Sequence, residues 1–184
     1  MNKKYFLIVA VILIAGAGFC LIENDDKKKA TENLCFEKKD YRIVGHSMEP
    51  LLADGTYVKG LAGYYECNEV QKGEIVILEF KSRKESFVKK IIGIAGDKIE
   101  FAGEQLKLNG EILKNSGGET YAFSEASRRI ITASLNNGII LEGRYFILGE
   151  EKGPSAYDSR QFGLVEKEHL KGRVINSIST TNNE

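Results

Sequence analysis

Two patterns of hydrophobic and polar positions divide the chain. Behind the basic start MNKK, the run YFLIVAVILIAGAGFCLI (Tyr5–Ile22) holds 18 residues without a charge. A helix needs about 20 apolar residues to cross a bilayer, so this stretch predicts one transmembrane helix over residues 1–22. The small residues Ala15–Ala17 leave a second reading open, a cleaved secretory leader. Residues 23–40 are charged and aperiodic at their start, which suits a juxtamembrane linker.

From Tyr41 onward the pattern shortens to that of strands. EIVILEF (Glu74–Phe80) and SFVKKIIGI (Ser86–Ile94) are β-rich apolar runs bounded by glycine, and KIEF (Lys98–Phe101) is a shorter alternating one. QLKLNGEILK (Gln105–Lys114) alternates on both sides of Asn109–Gly110, a strong hairpin signal. RYFILGE (Arg144–Glu150) and GRVINSIS (Gly172–Ser179) predict two later strands, with a polar loop from Glu150 to Gly163 between them. Residues 115–137 carry little pattern and read as a small variable lobe, and no window predicts a long amphipathic helix. The expectation is a mostly β domain over residues 41–184 on an N-terminal membrane stalk.

Charge and cysteine content narrow the function classes. Lys plus Arg and Asp plus Glu both number 26, so no net field draws the chain to nucleic acid. Two histidines and three cysteines, without ligand spacing, predict no metal site. Cys35 and Cys67 can pair if the domain is exported, or stand as separate thiols. The orientation of the membrane helix stays open, because Lys3 and Lys4 on one side are balanced by Lys27–Lys29 on the other.

Candidate chemistry centres on Ser47 in VGHSMEPLL (Val44–Leu52). A serine hydroxyl attacks well only when a base takes its proton. His46 is adjacent, but neighbouring side chains of an extended segment diverge. A triad of Ser47, Asp158 and His169 would require a G-x-S-x-G elbow, and the pentad here is GHSME. A lysine can serve if burial lowers its pKa from about 10.4. Most lysines sit among charges, whereas FVKKIIGIAG (Phe87–Gly96) sets two in an apolar strand. Lys89 shares a face with Phe87 and Ile91, and Lys90 shares the other with Val88 and Ile92.

GHSMEPLL resembles the nucleophile box of type I signal peptidases, and FVKKIIGIAGDKIE is similar to their lysine box. KGEIVILEF resembles the strand between the two, and GRYFILGEEKGPSAYDSRQFG is similar to their C-terminal Gly-Asp-Asn…Ser-x-Asp-Ser-Arg box. The four occur in order from Ile43 to Gly163. The resemblance implies a β-rich Ser–Lys peptidase domain on one transmembrane helix, with the catalytic domain outside the cytoplasmic membrane. Ser47 would be the nucleophile and Lys89 the general base. Asp158 and Arg160 would brace the site, and Ile43, Val44 and Met48 would line the substrate cleft. YRIV (Tyr41–Val44) would offer an edge strand for an extended substrate. Exported preproteins with Ala-x-Ala cleavage sites and membrane lipid are the implied partners; no cofactor, metal or nucleic acid is implied.

Three departures accompany the resemblance. GEE (Gly149–Glu151) replaces Gly-Asp-Asn, and Ser155 stands three residues before Asp158, with Ala156 in the usual serine place. Gly45 replaces a serine that supplies an oxyanion donor in some members, leaving backbone N–H groups, chiefly that of Ser47. Two other readings remain: a conjugative pilin-precursor peptidase of the same fold, or an inactive membrane-tethered binding module.

Overall fold

The computed structural model describes residues 35–154 and 156–178; the expected membrane helix and Ser155 lie outside these. Among the described residues no helix is long and apolar enough to cross a membrane. The unit from Glu37 onward is built on a seven-stranded antiparallel sheet, in the order β1-β2-β10-β3-β4-β8-β9. Its strands are β1 (Glu37–Arg42), β2 (Tyr57–Ala62), β3 (Ile75–Leu78), β4 (Phe87–Gly93), β8 (Arg144–Leu148), β9 (Val165–Glu166) and β10 (Leu170–Ile178). A second sheet holds β5 (Ile99–Ala102), β6 (Gln105–Leu108) and β7 (Glu111–Ile112).

The predicted strands appear where β-branched and apolar residues cluster. Asn109 and Gly110 both take positive φ, 53° and 88°, and turn β6 into β7. β1 starts at Glu37, inside the stretch read as linker: five of its six side chains are exposed, so it has no apolar signature and forms by backbone pairing with β2. β2 escapes the pattern because Gly60 interrupts it. That glycine is required for packing, since a Cβ there would lie 2.6 Å from the Tyr41 ring.

The lobe over 115–137 is also more ordered than its pattern. It contains helix α1 (Glu125–Ala133), whose N-cap Ser124 accepts a hydrogen bond from the Ser127 N–H. Ser127 and Ile131, one turn apart, are its buried positions, too few to register as an amphipathic period. Ile131 joins Tyr121, Phe123, Ile140 and Phe146 in one apolar cluster. Two further clusters lie along the large sheet, one around Val76, Ile91 and Ile147, the other around Ile43, Met48 and Val58. Cys35 and Cys67 are both disulfide-bonded.

Candidate active site

Ser47 sits on a turn pinned from beneath. After β1, the Ile43 N–H donates to the Thr56 carbonyl at 2.8 Å, and the Gly55 N–H donates back to Ile43 at 2.9 Å. Gly45 has a φ of 88° and gives its N–H to Asp54 Oδ1 at 2.8 Å, so it shapes the turn and is no longer a free donor. Ile43, Met48 and Leu52 are buried, and the apolar anchors on both sides of Ser47 leave it half-buried between them. The expected strand YRIV ends at Arg42; Ile43 is held by the 55–56 turn, and Val44 is 82% exposed.

β4 supplies the second group. Lys89 pairs with Val76 across β3 and is only 3% exposed. Its Nζ lies 2.8 Å from Ser47 Oγ and donates to the Val88 carbonyl at 3.0 Å. Burial holds the Lys89 pKa below its ordinary value; Asp158 opposes that shift, and Arg160 adds to it. The Ser47 N–H has no partner among the described residues. Lys90 projects to the other face, as alternation predicts, but meets Glu150 Oε1 at 3.4 Å rather than open water.

A rigid frame surrounds the pair. Asp158 is fully buried and accepts from the Gly149 N–H at 2.9 Å and from Arg160 Nε at 2.9 Å. Arg160, the N-terminal residues of whose helix α2 (Ser159–Phe162) are likewise buried, donates through Nη1 to the carbonyls of Glu151 at 2.7 Å and Gly153 at 2.6 Å. The loop after β8 is therefore tied down at three points. From it the Glu150 N–H donates to the Ser47 carbonyl at 2.7 Å. A Cβ on Gly149 would drive into that same carbonyl oxygen and lie 3.6 Å from Lys89 Cδ, so only glycine fits. The buried Glu150 carboxylate accepts from the Ser116 N–H at 2.6 Å and Ser116 Oγ at 2.9 Å, while Asn115 Nδ2 donates to the Glu150 carbonyl at 2.9 Å.

Of the sequence-derived residues, Ser47, Lys89, Asp158 and Arg160 thus converge. His46 does not: its side chain is 76% exposed and its Nδ1 pairs with Glu49 at 2.9 Å. His169 packs on the Phe80 ring at 4.9 Å, and Asp158 is committed to Arg160 and Gly149, so no triad forms. Gly149, Glu150, Asn115 and Ser116 were missed. GEE registered only as a departure, and a buried glutamate in a polar loop leaves no periodic signal. A cleft of about 310 Å³ opens at Ser47 and Lys89, walled by Arg42–Val44 with Met48 on one side and Glu85–Val88 on the other.

A serine hydroxyl hydrogen-bonded to a buried lysine amine beside an open cleft is an arrangement that suits a hydrolase of the serine peptidase kind. The family model described as "Signal peptidase, peptidase S26" matches residues 32–178. The signal peptidase IB of Staphylococcus aureus (strain COL) is 30% identical over 143 residues, 73% of this chain and 74% of the relative. The signal peptidase I of Bacillus licheniformis is 27% identical over 133 residues, 72% of each. A crystal structure of a signal peptidase I from Enterococcus faecalis V583 aligns with a TM-score of 0.41 and 26% identity, over 59% of this chain and 98% of that one. The chain belongs to the S26 signal peptidase family.

Proposed function

We propose that this protein is a membrane-bound endopeptidase that removes N-terminal signal peptides from exported preproteins, with Ser47 as nucleophile and Lys89 as general base. The observation that carries the reading is the 2.8 Å contact between Ser47 Oγ and a lysine amine buried to 3% exposure. Neutral Lys89 takes the hydroxyl proton as Oγ attacks the scissile carbonyl carbon. The oxyanion accepts from the Ser47 N–H, whose partner position is open. Lys89, now an ammonium, returns the proton to the leaving amine, and the C–N bond breaks. Water then attacks the acyl ester with Lys89 again as base, releasing the signal peptide and restoring Ser47. No step calls on a metal or cofactor.

The cleft suits an extended chain, since Phe87 and Val88 pair with β3 on one side only and leave their other edge to the cleft. Relatives named signal peptidase support the substrate class. The apolar run Tyr5–Ile22 supports a single anchor over 1–22, a linker, and a peptidase domain outside the cytoplasmic membrane. Asp158 and Arg160 act as positioning residues, and Ile43, Val44 and Met48 as the substrate wall.

The test is mass spectrometry of a model secretory preprotein incubated with the purified full chain. One cut after a small residue is expected, lost in both Ser47→Ala and Lys89→Met. A pilin precursor run in parallel separates the conjugative substrate class. An intact preprotein with the unaltered chain, or cleavage persisting in Ser47→Ala, would overturn the proposal.

A further inference from the structure

The β3–β4 connection reads EFKSRKES (Glu79–Ser86) and has two flanks. Glu85 and Ser86 line the cleft at Ser47. The other flank, with Lys171, encloses a separate cavity of about 470 Å³. Four cations line it, Lys81, Arg83, Lys84 and Lys171, against two carboxylates, Glu79 and Glu168. Neither carboxylate is engaged with them: Glu79 accepts from Ser86 Oγ at 3.0 Å, and Glu168 stands 4.0 Å from His169 Nε2. Arg83 lies over the Tyr157 ring at 4.6 Å, and Phe80 stacked with His169 forms an aromatic wall.

Four exposed cations around one concavity, none in an ion pair among the described residues, repel one another and attract a multivalent anion. The surroundings narrow that anion. Val44, on the opposite wall of the cleft from Glu85, is 82% exposed. Leu51, on the Ser47 turn, is 40% exposed. A loop with basic side chains on one flank and exposed apolar Val44 across the cleft from the other matches an anionic bilayer, where lysine and arginine meet headgroups and apolar groups enter the interface.

We propose that the β3–β4 loop and Lys171 bind the phosphate of anionic phospholipid headgroups and so seat the mouth of the cleft on the membrane surface. This deepens the membrane placement given above and uses no group of the catalytic machinery. The experiment compares hydrogen exchange of the 79–87 peptide in the full chain, held in phosphatidylcholine nanodiscs with or without about 30% phosphatidylglycerol. Anionic lipid is expected to slow exchange about fivefold, an effect lost when salt is raised to about 0.5 M. Combined Lys81→Gln, Arg83→Gln, Lys84→Gln and Lys171→Gln should abolish the protection, and Lys81→Arg with Lys84→Arg and Lys171→Arg should keep it.

Equal protection in both discs, or protection surviving the four glutamines, would overturn the proposal. So would inorganic phosphate, or a soluble acidic peptide, producing the protection on phosphatidylcholine alone, since the ligand would then be a free anion or a protein segment. Cleavage of a short soluble peptide substrate should stay unchanged in the glutamine variant. If the unaltered chain fails to cut it, the peptidase reading fails while the lipid result stands.

Discussion

The proposed role of Lys89 as base depends on a fold that penalises its charge. With burial as the leading cause, its pKa lies below the ordinary value. The rate of peptide cleavage should therefore rise with pH along a limb centred below about 10.4, which a pH–rate profile of kcat/KM would place. Lys89→Arg should be inactive across that range, because a guanidinium keeps its proton. The same burial has a stability signature. Between the lowered folded value and about 10.4, the unfolded chain holds a proton that the folded chain has released, so stability climbs with pH across that window. Lys89→Met removes the group and should flatten the climb, with a higher melting temperature at neutral pH, measured by thermal unfolding at several pH values. His46 has no such environment: exposed and paired with Glu49, its pKa is raised, and His46→Ala should cleave within a few fold of the parent.

At the level of elements, the nucleophile turn and the loop after β8 are two irregular segments held against each other by main-chain hydrogen bonds to the Ser47 carbonyl, from Glu150 N–H at 2.7 Å and Glu151 N–H at 3.3 Å. The contact is possible because residue 149 lacks a Cβ. Gly149→Ala should shift the Ser47 carbonyl and with it the hydroxyl. A displacement of about 1 Å at a reacting group costs on the order of a hundredfold in rate. Steady-state kinetics should show the loss in kcat, with circular dichroism unchanged. The turn at Asn115–Ser116 completes this frame from the lobe side. Three of its hydrogen bonds end on Glu150, so a segment without hydrophobic period contributes directly to where Ser47 sits.

Across the whole molecule, the buried Asp158–Arg160 pair links β8, α2 and the loop between them. Arg160→Leu would leave Asp158 fully buried without its partner, a loss on the order of 3–5 kcal/mol, visible as a lower denaturation midpoint in urea. By itself the sequence determined the β class, seven of the ten described strands and the Asn109–Gly110 turn, because each rests on period-two alternation or on a local backbone requirement; alternation put Lys89 and Lys90 on opposite faces, and the family resemblance chose between them. Local geometry also set aside His46 and the hydrolase elbow as sources of a base for Ser47. β1, β2 and α1 stayed hidden, being set by pairing with a neighbour, by a glycine that makes room for Tyr41, and by a cap with two buried positions. The 2.8 Å approach of Ser47 to Lys89, 42 residues apart in sequence, the loss of the Gly45 donor to Asp54, and the Glu150 frame were decided only by tertiary structure. Their physical reason is common: a buried polar group must find its partner wherever the fold puts one, and that partner's distance along the chain leaves no trace in local pattern.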